Sequence, residues 1–517
     1  MMTQPIKRRF LNRGFSLSTA LCICLFLPGC AVGPNFHRPV APSIKHYAEH
    51  PLPKSTVATP TLGGRAQYFK INQKISAQWW TVFQSKALDR LIRDALKANP
   101  DMRAASASLQ MAHEATKISR TAFLPLLNGN AAPTRQQTAG TLASNLSSNA
   151  YLYTLTTASL SVSYLPDVFG GTRRNVESTK ALEEATLYQY EAVYLTLSSN
   201  VVLNAIQEAS LRGQIETTEK IIRILKKLTY VLTQEKRLGS VGIEAVAQQK
   251  VLLAQAEALL PALQLQLAEN RHLLASLLGR YSSEDLDVKF TLQDFVLPQE
   301  LPVSLPSQLI DNRPDIRAAE AMMHSASAKV GVAIANRLPS IPLSANGGYM
   351  PVTQSLNSIP AFLAPLPLGP TMFWGLGANL LGTIFDAGSL YFQKRAAVAA
   401  YDQSVAQYKR VVLNAFESVA DSLKALEMDA IALKHTKEQV DAAEMGFQAV
   451  VRKRRLGSVS YLELLVAEKA YADALLSLTQ SQAARFEDTV ALFQALGGGW
   501  SLGEKEKKTG LLSEFLG

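Results

Sequence analysis

The sequence predicts a mostly helical protein with a transmembrane β part, built from two tandem copies of one unit. Three observations predict this fold class: an export signal, four motifs that recur in the same order, and stretches in which apolar residues alternate with small or polar ones. The chain has 517 residues, of which 47% are hydrophobic and 18% charged, and its formal net charge is +10. That length allows an ample core, and the low charged fraction is not typical of a nucleic-acid-binding surface.

Residues 1–29 have the features of a signal peptide. A basic stretch from Lys7 to Arg13 precedes a short apolar stretch from Leu17 to Leu27, which is too short to span a bilayer as a helix. The sequence Leu27-Pro28-Gly29-Cys30 resembles a bacterial lipobox, in which the cysteine thiol is diacylated before cleavage. We therefore expect a covalent lipid, a diacylglycerol and an N-acyl chain, on Cys30.

The positions of the cysteines agree with this prediction. The three cysteines are Cys22, Cys24 and Cys30, and the first two lie in the cleaved segment. The mature chain therefore keeps one cysteine as its first residue, which excludes an internal disulfide or a zinc site built on thiolates. Ala31 follows Cys30, as in lipoproteins that are passed on to the outer membrane. One acyl signal alone holds a protein weakly, so stable anchoring requires more lipid or protein embedded in the membrane.

The body of the chain contains an internal repeat of about 200 residues. We divide it into a lipidated extended segment at 30–78, repeat 1 at 79–300, repeat 2 at 301–499 and a tail at 500–517. The Pro-rich stretch from Gly33 to Pro60 is expected to wrap a surface rather than pack into a core. The recurring motifs are Asn99–Ala105 with Arg313–Ala319, Leu124-Pro125 with Leu338-Pro339, Val201–Ala205 with Val411–Ala415, and Arg237–Val241 with Arg455–Val459.

Each repeat is predicted to have the same order of elements. A helix opens at a Pro-Asp pair and ends near Leu-Pro, two strands follow, and two long helices are joined at a Leu-Gly-Ser turn. Helices such as Thr172 to Leu211 would run about 40 residues, or roughly 60 Å. The last helix of each repeat has apolar residues at the 3–4 spacing of a coiled coil, and Pro261 is expected to bend or break the first of them.

The predicted strands alternate in a way that is typical of a membrane-spanning β-barrel. A half-buried soluble sheet gives the same pattern, but the export signal favours the barrel. The apolar stretch from Ile359 to Phe385 contains four prolines and is no transmembrane helix, and we expect no helical span elsewhere. Two strands per repeat give four per chain, too few for a closed barrel, so several chains must share one. The alternating residues are Leu160, Val162 and Tyr164; Ile341, Leu343 and Ala345; and Trp374, Leu376, Ala378 and Leu380.

With these features in place, the chain resembles TolC-type outer-membrane efflux proteins of the lipoprotein (NodT) branch, which serve RND-type efflux systems. The resemblance covers essentially the whole mature chain. It implies a homotrimer, with a trimeric α-barrel in the periplasm continuous with a 12-stranded β-barrel in the outer membrane of a Gram-negative bacterium. The residues that carry it are Cys30–Pro39, Trp79-Trp80, Arg313–Ile316 and Ala495–Trp500.

The same resemblance implies partners and sites. A periplasmic adaptor (membrane fusion protein) and an inner-membrane pump would dock onto the trimer, and the adaptor would meet the periplasmic tips at the two Leu-Gly-Ser turns. A periplasmic gate formed by carboxylates is expected on a helix from Gln393 to Met428, at Glu417 and Asp421, which are four residues apart and share a helix face. The tip residues are Leu238, Gly239, Ser240, Leu456, Gly457 and Ser458.

We find no motif for enzymatic chemistry in the sequence. The seven histidines are scattered without ligand spacing, and no phosphate-binding loop or nucleophile elbow is present. Gly497-Gly498-Gly499 is interpreted as a helix stop. No catalytic residue, metal or cofactor beyond the lipid on Cys30 is therefore expected, and no nucleic-acid partner.

Three functional hypotheses follow from the sequence. The first is the channel subunit of a tripartite efflux pump, a passive conduit for small molecules. The second is a similar conduit for exported protein or peptide. The third is a lipid-anchored coiled-coil scaffold without a pore, and the alternating strands argue against it because a scaffold needs no lipid-facing sheet.

Overall fold

The computed structural model describes residues 31–499, apart from 41, 43, 45, 48–52, 72, 74, 138–151, 285, 351 and 354–371. Cys30, the predicted signal peptide and the predicted tail lie outside the described residues. The chain divides into two compact units. Unit 1 comprises the residues up to His37 together with His113–Leu182 and Met323–Ser404, and unit 2 comprises the remainder. Each unit draws on both repeats, so the spatial units do not coincide with the repeats.

Three of the four helices in each repeat match in length. In the first, helices α1 (Lys86–Ala98) and α2 (Pro100–Thr121) precede the long helices α3 (Gly171–Arg237) and α4 (Ile243–Leu277). In the second, α5 (Pro306–Asn312) and α6 (Pro314–Ala335) precede α7 (Ser389–Arg455) and α8 (Tyr461–Ala495). The three helices that follow the first of each repeat have 22, 67 and 35 residues in both repeats. The element order predicted from the motifs is thus present in both halves.

A four-stranded antiparallel sheet forms the β part of unit 1. Strands β2 (Leu126–Gln137) and β3 (Leu152–Tyr164) come from the first repeat, and β5 (Leu343–Tyr349) and β7 (Met372–Ala378) from the second. Their order across the sheet is β2-β3-β5-β7, and the two-residue strand β6 (Val352–Thr353) also pairs with β3. Two main strands per repeat were expected, and this count is confirmed. In unit 2, β1 (Tyr68–Ile71) pairs in parallel with β4 (Glu300–Val303).

The long helices extend further than the sequence patterns indicated. Helix α3 continues past Leu211 to Arg237, and α7 runs from Ser389 to Arg455 instead of Gln393 to Met428. Both helices continue because no proline interrupts them. Helix α3 ends before Gly239 and α7 before Gly457, where the glycine has a positive φ. At 1.5 Å per residue, each helix is about 100 Å long.

The last helix of each repeat packs through the predicted coiled-coil positions. In α4 the side chains of Leu263, Asn270 and Leu274 are buried, and in α8 those of Ala483, Phe486 and Val490 are. Pro261 was expected to bend or break α4, and the helix continues through it without a break. Within the described residues, α4 is long and apolar enough, by length and composition, to cross a membrane. The expectation that the chain has no such stretch is therefore wrong.

The core of unit 2 is centred on aromatic residues and one buried arginine. Trp79 stacks on Phe493 with ring centroids 5.4 Å apart, and its Nε1 donates to Ser198 Oγ at 3.3 Å. Arg485, only 1% exposed, donates to the carbonyl of Leu426 at 2.7 Å and to Thr56 Oγ1 at 3.2 Å. The burial of Thr56 corrects the expectation that the Pro-rich segment covers a surface without entering a core.

Candidate functional site

The four-stranded sheet presents one face of apolar and small side chains. Along one row across the strands the register pairs Gly129 with Leu160, Leu160 with Gly347, and Gly347 with Trp374. Trp374 is 80% exposed and Leu160 60%. The neighbouring row on the same face holds Leu127, Val162, Ala345 and Leu376. A face with these side chains open to its surroundings is the kind that a membrane-spanning sheet turns toward lipid.

The opposite face is mostly polar or small. One row carries Asn128, Ser161, Asn346 and Gly375, which are paired in that order across the sheet. A Cβ built on Gly375 would lie 2.7 Å from Asn346 Oδ1, so the glycine leaves room for this amide. The expected alternation of apolar and polar faces is therefore confirmed for the described strands, and the polar face suits a water-filled lumen.

The first and last strands of the sheet pair on one side only among the described residues. Strand β2 pairs with β3, and β7 pairs with β5. In lipid, unpaired backbone N–H and C=O groups each cost several kcal/mol (roughly 2–7 by transfer measurements), so a membrane-spanning sheet has to close. Because all pairs from β2 to β7 are antiparallel, the outer strands run in opposite directions, and copies of the sheet placed edge to edge would continue the antiparallel pattern.

The first Leu-Gly-Ser turn closes α3 with a Schellman motif. Gly239 has φ +77°, and its N–H donates to the carbonyl of Lys236 at 3.0 Å. The N–H of Ser240 donates to the carbonyl of Glu235 at 2.9 Å, and its Oγ donates to the same carbonyl at 2.7 Å. These bonds satisfy carbonyls that the helix end leaves without partners.

The second turn closes α7 by the same motif. Gly457 has φ +73° and donates to the carbonyl of Arg454 at 3.0 Å, while the N–H of Ser458 donates to the carbonyl of Lys453 at 3.1 Å. A Cβ at either turn glycine would meet no atom within 4 Å, so backbone conformation rather than space selects glycine there.

Both turns place an apolar side chain in solvent beside several cations. Leu238 and Leu456 are each 83% exposed. The last turn of α3 carries two basic residues and that of α7 four, the placement that a helix dipole favours. They are Lys236, Arg237, Arg452, Lys453, Arg454 and Arg455. Each turn thus presents one exposed leucine side chain with basic residues around it.

The two carboxylates expected at the gate share an exposed face of α7, as the four-residue spacing predicts. Their depth differs from the expectation of a constriction near the periplasmic end. Because α7 continues to Arg455, Glu417 and Asp421 lie near its middle, about 57 and 51 Å from the tip at 1.5 Å per residue. Their role as a gate stays a prediction.

Other residues at these sites gave no recognised signal in the sequence. The segment that follows Cys30 is bound by Arg174, whose side chain donates to the carbonyl of Val32 at 3.1 Å. Asn99 and Arg313 reach the carboxyl ends of α4 and α8. Asn99 and Arg313 are the first residues of one recurring motif. The repeat therefore singled out these two positions but did not indicate their contacts. Within the described residues, no group of three or more His, Cys, Asp or Glu residues is arranged to hold a metal ion.

The triple glycine of the last family motif ends α8, as expected. Gly497 has φ +91° and its N–H donates to the carbonyl of Gln494 at 3.0 Å, while the N–H of Gly498 donates to that of Phe493 at 2.9 Å. A Cβ on Gly497 would lie 2.7 Å from the carbonyl oxygen of Asn312. The glycines thus combine a helix stop with a close approach of backbone to backbone.

Comparison with known proteins agrees with this architecture. The chain is 30% identical over 433 residues to the pyoverdine export outer membrane protein OpmQ of Pseudomonas aeruginosa, which covers 82% of this chain and 87% of that protein. It is 26% identical to nodulation protein T of Rhizobium leguminosarum bv. trifolii, covering 91% and 94% of the two chains. The solved structure of the Campylobacter jejuni CmeC outer membrane channel is similar with a TM-score of 0.75 at 21% identity, over 94% of this chain and 98% of that one.

A family model described as "outer membrane efflux protein" matches residues 91–280 and 305–498, one segment in each repeat. The match covers well over half of the chain and contains the long helices, the sheet and both tips. The sheet with its apolar and polar faces, the paired long helices and this match agree with one another: the chain belongs to the outer membrane efflux protein family and is an outer-membrane efflux channel.

Proposed function

We propose that this protein is the passive outer-membrane conduit of a tripartite efflux system that exports small molecules. The single observation that carries the proposal is the sheet β2-β3-β5-β7, which has an apolar and a polar face and, on each outer strand, one edge that pairs with no other described strand. A sheet of this kind lines a water-filled passage through lipid once it closes. The protein needs no cofactor for this task, because the inner-membrane pump supplies the energy.

Closure requires further copies of the chain. Four main strands per chain fall short of the eight or so that a transmembrane barrel needs, and three copies give 12, an even number that keeps every pair antiparallel. Strand β2 of one copy would pair with β7 of the next. We therefore propose a homotrimer, in which no strand edge remains open to lipid.

The helical tips are proposed to contact a periplasmic adaptor, which joins the channel to the pump. The support is the exposure of Leu238 and Leu456 on rigid turns at the ends of two helices of about 100 Å each. An apolar side chain surrounded by cations on a hydrogen-bonded turn is suited to contact a protein partner. Binding would bury its apolar surface without the entropy cost of ordering a flexible loop.

A ring of carboxylates at Glu417 and Asp421 is proposed to control the passage of ions. Both residues are exposed on one face of α7. In a trimer, six like charges would lie around one axis and attract cations. Their mid-helix position makes this a ring inside the helical wall rather than at its tip.

Small molecules are favoured over proteins as the cargo. The relative OpmQ is named for pyoverdine export, and the matching family is described by efflux. The hypothesis of a protein or peptide conduit has no support among these relatives, and the scaffold without a pore does not account for the two-faced sheet.

The proposal is tested by trapping the barrel across subunits. Single cysteines placed along β2, at residues 127–131, are combined with single cysteines along β7, at residues 372–376, and the membrane-bound protein is oxidised. We expect covalent trimers for pairs in register, and conductance of the purified trimer in planar bilayers. Monomers for every pair, together with an absence of conductance, would contradict the shared barrel. Deletion of the gene should also raise sensitivity to exported compounds.

A further inference from the structure

The residues that immediately follow Cys30 are held by one buried arginine of unit 1. Arg174, on the first turn of α3, is 5% exposed. Its Nε donates to the carbonyl of Val32 at 3.1 Å, and its Nη2 donates to the carbonyl of Gly33 at 3.4 Å and to Asn35 Oδ1 at 2.7 Å. The N–H of Val32 in turn donates to the carbonyl of Phe169 at 3.0 Å. A planar guanidinium fork thus fixes three acceptors within four residues.

The backbone of this segment is packed so closely that side chains have no room. Gly33 has φ +97°, and a Cβ there would lie 2.5 Å from the Cα of Gly331. Gly170 has φ +80°, and its Cβ would lie 2.5 Å from the Cα of Ala31. Only glycine combines these dihedrals with this approach, so the sequence is adapted to hold the segment in place.

A carboxylate and a histidine complete the contact. Arg174 Nη1 donates to Glu177 Oε2 at 2.8 Å, and Glu177 Oε1 lies 2.9 Å from His324 Nε2. The His324 ring stacks on Phe36 with centroids 4.4 Å apart. Burial raises the pKa of Glu177, but the hydrogen bonds from Arg174 and His324 outweigh it and leave that pKa below its ordinary value. We call Arg174, Glu177 and His324 the N-terminal clamp.

We propose that the N-terminal clamp is a positioning device for the lipid anchor, holding the acylated residue beside the end of β3 so that its acyl chains enter the bilayer there. This inference rests on the acylation of Cys30 that the lipobox-like sequence predicts. Cys30 directly precedes Ala31 in the sequence. Ala31 packs on Gly170, six residues after β3 ends at Tyr164.

A fixed anchor differs physically from a loosely tethered one. A single acyl signal alone binds a protein to the membrane weakly. When a short, ordered connection joins the acylated residue to a membrane-spanning sheet, insertion of the sheet makes insertion of the acyl chains effectively intramolecular. The clamp holds the segment through the carbonyls of Val32 and Gly33 and the side chain of Asn35. Loss of the clamp should therefore free the anchor while leaving the conduit intact.

The test measures the mobility of the segment in the full-length protein reconstituted in liposomes. A nitroxide spin label is attached to the cysteine introduced by Pro34→Cys. The label is specific for this position because the thiol of an acylated Cys30 does not react with it. We expect slow label motion in the otherwise unchanged protein. In Arg174→Ala and, independently, in Gly33→Ala, the rotational correlation time should fall about tenfold, toward the nanosecond motion of a free terminus. Arg174→Lys, which keeps the charge but loses the fork, should give an intermediate value.

Matched controls separate the possible failures. Lys180→Ala, an exposed cation on the same helix, should leave the label slow. Label motion that stays slow in both Arg174→Ala and Gly33→Ala would overturn the clamp. If the protein without Pro34→Cys takes up label, Cys30 is a free thiol, and the proposed acylation fails instead. Trimer yield and conductance in these variants should match those of the unchanged protein, which a general loss of folding would not allow.

Discussion

Asn99 and Arg313 occupy equivalent positions in the two repeats and bind equivalent carbonyls. Asn99 Nδ2 donates to the carbonyl of Leu277 at 3.0 Å, and Arg313 Nη1 donates to the carbonyl of Ala495 at 2.7 Å. Leu277 and Ala495 are the last residues of the two 35-residue helices, α4 and α8. Each repeat therefore ties the start of its 22-residue helix to the end of its last helix.

The two side chains reach the same result by different chemistry. Asn99 Oδ1 also accepts from the N–H of Asp101 at 2.7 Å, so one amide caps α2 and binds α4. In the second repeat the two tasks are separate: the Asp315 carboxylate accepts from the N–H of Ile316 at 2.9 Å and binds the guanidinium of Arg313 through both oxygens. The bidentate pair fixes the arginine for its contact with α8.

We predict that Arg313→Ala destabilises the assembled protein. A hydrogen bond from a charged donor to a carbonyl is worth about 1.5–3 kcal/mol, and the end of α8 would lose one. Urea unfolding followed by circular dichroism should show a lower midpoint. Arg313→Asn, which copies the side chain of the first repeat, should recover part of the loss, and an unchanged midpoint in Arg313→Ala would contradict the role of this contact.

At the tip, Gly457→Val should impair pump-dependent resistance while trimers still form. The positive φ of +73° costs a residue with a Cβ about 1–2 kcal/mol, and more for a β-branched one, so the turn would change shape. Gly457→Asn is the matched control, because asparagine tolerates this conformation and space is open around it. Minimum inhibitory concentrations measure the effect. Resistance at the unchanged level in Gly457→Val would count against contact with an adaptor.

For the carboxylate ring, we predict that Glu417→Ala combined with Asp421→Ala reduces block by multivalent cations and raises single-channel conductance. Removing six negative charges from the trimer weakens cation binding inside the passage. Glu438→Ala serves as the control, since Glu438 is exposed on the same helix but bonded to His435. Planar-bilayer recordings compare the three proteins. If the double variant conducts and is blocked like the unchanged protein, Glu417 and Asp421 do not line the passage.

A half-buried acidic pair in unit 2, Asp429 and Asp488, should make stability depend on pH. Burial, a hydrogen bond with Asp429 and the negative charge of Asp429 together raise the pKa of Asp488 to about 8, against the opposing effect of Arg485. Glu487 beside it also has a raised pKa, first through burial and then through Asp429. Between an ordinary carboxyl pKa near 4 and pH 8, the folded state thus holds more protons than the unfolded state, so stability falls as pH rises.

We accordingly expect the melting temperature to decrease from pH 5 to pH 8. Asp488→Asn mimics the protonated side chain and should flatten this dependence, so that the variant melts above the unchanged protein at pH 8. Asp473→Asn, at a half-exposed position of the same helix, should keep the original slope. Equal slopes in the unchanged protein and Asp488→Asn would show that the pair does not titrate in this range.

For the lipid anchor, Cys30→Ala should abolish labelling by radioactive palmitate and block signal cleavage at this site. The protein should still insert, because the sheet provides most of the membrane affinity. Cys24→Ala, in the cleaved segment, is the control and should be labelled normally. Persistent labelling of Cys30→Ala would refute the assignment of the lipid to this residue.

The local features of this protein follow from short-range sequence patterns. Alternation with a period of two placed Leu160, Val162 and Tyr164 on one face of β3, and the 3–4 spacing identified the packed positions of α4 and α8. The turn glycines at 239 and 457 were recognisable because a positive φ selects glycine at a helix end. The repeat extended each of these predictions to the second half.

Contacts between distant residues were decided only by the tertiary structure. Arg174 binds a segment about 140 positions earlier, and Arg485 binds Gln67, 418 positions earlier, at 2.5 Å. Neither arginine stands in a local pattern that indicates its partner. The depth of Glu417 likewise depended on the full extent of α7, which the structure places from Ser389 to Arg455. Period and propensity act over a few residues, whereas burial and hydrogen bonding of a polar side chain depend on which segments meet in space.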